Sequence, residues 1–123
     1  MNSNKPEKVD FSVRSKIWIE DSNGKVIFGL GRYRILDAIS RAGSMQAAAK
    51  ELHMSYRAVW MRVRSSEKRM GKELIVRDGK GSRLTPFAEK LMKQYRRMQS
   101  VVQTETDEVY DSLITDYLGQ TPS

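Results

Sequence analysis

The chain has 123 residues, 39% of them hydrophobic, enough for one compact body with a modest core. It has no cysteine and a single histidine, His53, which excludes disulfides, thiolate metal sites and zinc clusters built on several His or Cys ligands; no metal and no cofactor is expected. The net charge is +7 and unevenly spread: all 22 Lys and Arg lie at or before Arg97, while Glu105, Asp107, Glu108, Asp111 and Asp116 follow residue 100 with no base among them.

A body that basic attracts polyanions, nucleic acid first and an anionic membrane surface second. No apolar run approaches the roughly 18 residues that a membrane span needs, and no signal-peptide pattern opens the chain. The expectation is a cytoplasmic protein without a membrane partner.

Residues 1–10 are polar and are expected to be disordered. In the stretch FSVRSKIWIE, Phe11, Val13, Ile17 and Ile19 share one parity and Arg14, Lys16 and Glu20 the other, the period of a half-buried strand. DSNG and the β-branched KVIF follow, so the segment reads as a β-hairpin. The Gly29-x-Gly31 pair lacks the third glycine and the strand–turn–helix setting of a phosphate loop and reads as a connector. Ile35, Leu36, Ile39 and Ala42 recur at helical spacing before Gly43, giving a first helix from Arg32 to Ala42.

Ser44 can cap a second helix, Met45 to Leu52, whose Ala47, Ala48 and Ala49 favour helix and let a neighbour approach closely. His53 falls in the following turn, where a positive φ is wanted and histidine is tolerated. Ser55 caps a third helix that runs to Met70, with Gly71 as its stop. Two helices joined by so few residues outline a helix-turn-helix. ELIVRDGKGSRLT then reads as strand, turn and strand, the wing of a winged helix, with Lys80 at its tip and Arg77 and Arg83 on its flanks.

Thr85-Pro86 opens the last element as cap and first helical residue. Leu91, Tyr95, Met98 and Val102 step by four, three and four, a seam that asks for a partner, and it resumes around Val109, Leu113 and Tyr117. One helix over 86–118 is expected, with a break near Thr104 as the alternative, and residues 119–123 are expected to be a disordered tail. The apolar seam implies a homodimer held through Leu91, Tyr95, Met98, Val102 and Val109.

At 100° per residue, Val59, Val63, Ser66 and Met70 of the third helix share one face, read as the core side. Arg57, Met61, Arg64 and Lys68 lie opposite, bordered by Tyr56 and Trp60. Such a face suits the major groove, since arginine can donate two hydrogen bonds to guanine and apolar groups can pack on thymine methyls. The plainer readings are a solvated basic face and, for Trp60, core packing. The expected contacts to double-stranded DNA are Ser44, Gln46, Ser55, Tyr56, Arg57, Trp60, Met61, Arg64, Lys68, Lys80 and Arg83. No nucleophile–base pair suggests an enzyme, and no catalytic residue is expected.

The hairpin ending VIFGLGR, the GSMQAAAKELHMSYRAVW unit, the MGKELIVR entry to the wing and RLTPFAEKLMKQYRRM resemble the N-terminal domain of the molybdate-dependent transcriptional regulators, the ModE family, over residues 14–100. AAAKELHMSYRAV bears a more distant likeness to the LysR-type winged helix. The resemblance implies a mainly α fold with small β, a winged helix-turn-helix over 11–85 with an N-terminal β-hairpin, followed by a long C-terminal helix. It also implies a dimeric, sequence-specific regulator of transcription. Full-length members continue into small β-barrel modules that bind molybdate or tungstate. This chain stops at Ser123, so it is expected to lack its own oxyanion sensor, which makes a separate sensor protein a candidate partner. Phe87-Ala88 stands where the family more often has Ala-Gly, and Ser66 where it has a larger apolar residue. A different class of function, a protein-interaction module docking partners through the acidic C-terminal segment, remains the alternative.

Overall fold

The computed structural model describes residues 11–117. The expected disordered ends, 1–10 and 119–123, and residue 118 of the expected last helix lie outside them. Among the described residues there are four helices and two small antiparallel hairpins, in the order expected for a winged helix-turn-helix. By contacts it divides into two compact units, one of residues 16–97 and one whose described parts are residues 11–15 and 98–117.

In the first unit, β1 (Ile19–Glu20) pairs with β2 (Val26–Phe28), Ile19 opposite Phe28. Asp21 closes the turn: its Oδ1 accepts from the N–H of Asn23 at 2.9 Å and of Lys25 at 3.0 Å. The hydrogen bond from Lys25 holds the Asp21 carboxyl below its ordinary value. The strand is shorter than the alternation predicts. Burial does alternate, with Val13, Ser15, Ile17 and Ile19 half-buried between exposed neighbours, yet only Ile19 and Glu20 enter a ladder.

The first helix, α1 (Leu30–Ala42), begins two residues before the expected start and ends at Gly43, whose positive φ of 86° lets its N–H reach back to the Ile39 carbonyl. Next, α2 (Met45–Glu51) is capped by the Ser44 hydroxyl, which accepts from Ala47 N–H at 3.0 Å. Ala48 and Ala49 are buried in the core that α2 shares with its neighbours. Arg41 clasps α1 to α2 through Glu51 at 2.6 Å and pairs with Asp37 on its own helix at 3.0 Å. His53 takes the expected left-handed turn conformation, φ 55°.

The third helix, α3 (Tyr56–Met70), has the expected cap and stop: Ser55 Oγ accepts from Ala58 N–H at 3.0 Å, and Gly71 adopts φ 67°. Val59, Val63 and Ser66 form its buried face. Ser66 is a polar core residue, and its hydroxyl donates to the Ile27 carbonyl at 2.6 Å, so the serine satisfies a β2 carbonyl that a larger apolar residue would leave bare.

The wing is β3 (Ile75–Asp78) paired in full register with β4 (Gly81–Leu84), Ile75 opposite Leu84 and Arg77 opposite Ser82. It is fixed to the helices near its turn. Ser82 N–H donates to the Gly43 carbonyl at 2.8 Å, and Gly81 packs so closely on that carbonyl that an added Cβ would collide with it.

The last helix, α4 (Pro86–Tyr117), is continuous, with no break at Thr104. Thr85 Oγ1 accepts from Ala88 N–H at 3.1 Å and donates to the Glu73 carbonyl at 2.7 Å, capping the helix as expected. Ala88, Met92 and Tyr95 join the core with Phe28, Ile35, Leu36, Ile39, Val59, Val63, Leu74 and Ile75. Each fully buried aliphatic or aromatic side chain there stabilises the fold by roughly 1.5–3 kcal/mol.

Tyr95 corrects one expectation. It was placed on the dimer seam, yet it is 3% exposed, meets Phe28 edge-on at 5.4 Å and Tyr33 at 5.5 Å, and its hydroxyl donates to the Ile17 carbonyl at 3.2 Å. That same burial raises its pKa. Leu91, beside it on the expected seam, is half-buried against the same core.

In the second unit, residues 13–15 run extended along the later turns of α4. Gln103 Oε1 accepts from Ser15 N–H at 3.0 Å and from its hydroxyl at 2.6 Å, and Gln103 Nε2 donates to the Val13 carbonyl at 2.9 Å. Gln99 Nε2 donates to Ser15 Oγ at 2.8 Å. These glutamines take the backbone groups that the alternating pattern assigned to a sheet. Val101, Val102, Val109, Leu113 and Tyr117 leave apolar surface exposed on the same helix.

Candidate nucleic-acid interface

The second and third helices and the wing enclose a cleft of about 330 Å³ lined by Ser44, Met45, Gln46, Tyr56, Trp60, Arg64, Arg77, Lys80, Gly81 and Ser82. Each wall has a local cause. Ser44 and Gln46 stand at the start of α2 because Ser44 is its cap; the capping bond uses a lone pair and leaves the hydroxyl proton free to donate. Tyr56, Trp60 and Arg64 recur every four residues, so one edge of α3 carries all three. Arg77 and Ser82 are register partners across the wing, and Lys80 sits in the turn between them.

Six of the eleven expected DNA contacts meet in this cleft: Ser44, Gln46, Tyr56, Trp60, Arg64 and Lys80. Trp60, for which core packing was the plainer reading, is 43% exposed. Ser55, Arg57, Met61, Lys68 and Arg83 lie outside the cleft and are exposed; the first four belong to α3 or its cap and Arg83 to β4. Among the cleft residues, Arg77 and Ser82 were not among the expected contacts. The signal was available, because a tight Asp-Gly turn pairs the positions on either side of it.

Arg64 is not a free cation. Its Nη1 donates to Glu67 Oε1 at 2.6 Å, one turn along α3. Elsewhere on the body, Arg32 has its pKa lowered by burial first and then by repulsion from the nearby Arg62 and Arg69 charges, and its buried Nε has no hydrogen-bond partner. None of these three arginines is in an ion pair: the cations paired among the described residues are Arg41 and Arg64. No cluster of three or more His, Cys, Asp or Glu side chains able to hold a metal occurs among the described residues, nor is any helix there long and apolar enough to cross a membrane.

Residues 30–89 match the family described as bacterial regulatory helix-turn-helix protein, lysR family. The molybdenum transport protein ModE of Azotobacter vinelandii is 31% identical over 87 residues, covering 67% of this chain and 32% of that protein. The molybdenum-pterin-binding protein MopB of Rhodobacter capsulatus is 34% identical over 79 residues, covering 60% of this chain and 29% of that protein. The chain thus spans about a third of the length of these curated relatives. Among solved structures, the CbnR_DBD–DNA complex superposes with a TM-score of 0.54 at 26% identity, covering 67% of this chain and 94% of that one. Residues 30–89 are thus similar to the helix-turn-helix domain of bacterial lysR-family regulators, and ModE and MopB are among the proteins that this part of the chain resembles.

Proposed function

We propose that the chain binds duplex DNA sequence-specifically and regulates transcription, with α3 in the major groove and the wing against the flanking backbone. The observation that carries this reading is the convergence of cations and hydrogen-bonding side chains from α2, α3 and the wing on one cleft, beside an exposed α3 face of Arg57, Met61 and Lys68. In this reading Arg57, Met61 and Arg64 meet base edges, with Tyr56 and Trp60 alongside. Ser44, Gln46, Ser55, Lys80 and Arg83, joined by Arg77, hold phosphates and sugars. Phosphate contacts supply salt-dependent affinity and fix the register, while α3 supplies sequence choice. Chemistry on a substrate forms no part of the proposal.

The DNA-binding body and a dimerisation helix are the proposed division of labour. Met98, Val102 and Val109 are exposed on α4, as are Val101, Leu113 and Tyr117, and they form the surface a second copy would cover. Tyr95 drops out because it is core. Two copies related by a two-fold axis would present their α3 helices to half-sites about 34 Å apart, one turn of DNA.

The test is selection from random duplexes followed by a salt titration on the winner. The account expects a two-fold-symmetric motif and an affinity that falls with salt by a slope of about 0.9 per phosphate contact. Binding that is blind to sequence and to salt would favour the alternative, docking of another protein on the acidic C-terminal segment.

A further inference from the structure

We infer that Glu67 is a positioning residue for DNA reading: it fixes the Arg64 guanidinium at the cleft wall and ties its place to that of the wing. The inference rests on the DNA-binding reading above. Glu67 follows Arg64 by three residues on α3, and its side chain is only 10% exposed. A carboxylate so far from water needs its oxygens satisfied. Oε1 accepts from Arg64 Nη1 at 2.6 Å, and Oε2 accepts from the backbone N–H groups of Leu74 at 2.8 Å and Ile75 at 3.2 Å, the residues that lead into β3. One carboxylate therefore grips the helix that carries the reading arginine and the strand that carries the wing.

Two consequences follow for the cleft. Arg64 presents five N–H donors in a planar fork, and with one of them engaged the plane is set before any ligand arrives. The ordering cost of a long side chain on binding is then largely met beforehand. Glu67 also offsets the charge of Arg64, so this arginine adds little to sequence-blind attraction and acts mainly through directed hydrogen bonds. A purely structural role, pinning β3 to α3, would use only Oε2.

Glu67→Gln separates the two roles, because the amide oxygen can still accept from Leu74 and Ile75 while the charge facing Arg64 is gone. The full chain would be compared as wild type, E67Q, R64Q and the double variant. The readouts are affinity for the selected site, affinity for an unrelated duplex, and melting temperature. The account expects E67Q to lower the ratio of specific to non-specific affinity about three- to tenfold, the range of one unordered side chain. Its non-specific affinity should rise, because a negative charge has been removed from the interface. In the R64Q background the Glu67 substitution should cost no further selectivity. An unchanged ratio in E67Q, or a double variant that loses the product of the two single effects, overturns the inference and leaves the DNA reading standing. A fall of both affinities together with a large drop in melting temperature also overturns it, assigning Glu67 to folding alone. Wild-type protein that prefers no duplex overturns both readings.

Discussion

Gly81→Ala tests how the wing is held, because a Cβ at residue 81 would lie inside contact distance of the Gly43 carbonyl, backbone against backbone. Neither side is a flexible side-chain tip, so either the wing or the α1–α2 turn must move. Overpacking of this kind costs about 1–3 kcal/mol. The displacement also breaks the 2.8 Å bond from Ser82 N–H to the Gly43 carbonyl, worth about 1 kcal/mol. For a chain of 123 residues, a total of about 2–4 kcal/mol corresponds to a fall in melting temperature of about 8–15 °C. Thermal unfolding followed by circular dichroism reads this directly. Gly79→Ala is the informative control: Gly79 has φ 61° but nothing near its would-be Cβ, so only backbone strain of about 1–2 kcal/mol applies. The expected order is that G81A loses more than G79A, although the backbone at residue 81 is outside the left-handed region. A G81A variant melting within about 2 °C of wild type, or above G79A, would refute the close-approach argument.

Ser66→Ala should destabilise by about 1–3 kcal/mol, since the Ile27 carbonyl loses its donor without gaining a replacement, and urea unfolding would show an unchanged midpoint if the bond contributes nothing. Lowering the pH should weaken the Arg41 clasp. Arg41 hydrogen bonds hold the folded pKa of Glu51 below 4.5, so this stabilisation is complete above the unfolded carboxylate value and is lost as pH falls through the folded one. Glu51→Gln should remove that part of the acid sensitivity, and acid titrations of the two proteins that run parallel would count against it. Val109→Asp, at a site 72% exposed, should leave melting of the body unchanged and shift sedimentation towards monomer. A variant that sediments like wild type removes Val109 from the interface.

The helix-turn-helix was legible because its punctuation is local. Ser44, Ser55, Gly43 and Gly71 each fix a helix end through a bond or a φ value that the residue type itself supplies. The buried face of α3 was legible too, Ser66 included, since the 3.6-residue period places a polar residue as firmly as an apolar one. The α4 seam was not. Its steps of four and three continue from core-packed Tyr95 to exposed Val102, and periodicity cannot say whether a stripe meets its own body or a second copy. The leading strand misled for a related reason: alternating burial was present, but the hydrogen-bonding partners of Val13 and Ser15 are glutamine side chains far along the sequence. Glu67 was invisible for the same cause, because its meaning lies in Leu74 and Ile75, which the wing folds back onto it.

The most direct test of the central claim is the base preference of the Arg57→Ala protein set beside that of Lys80→Ala, both measured on the wild-type selected site and on single-base variants of it. Arg57 projects from the outward face of α3 and Lys80 from the wing turn, and both are exposed. The account predicts that loss of Arg57 relaxes the preference at one position of each half-site by about 1–3 kcal/mol, whereas loss of Lys80 weakens every site alike and flattens the salt slope by about 0.9 per contact. Identical preference profiles for Arg57→Ala and wild type would contradict it.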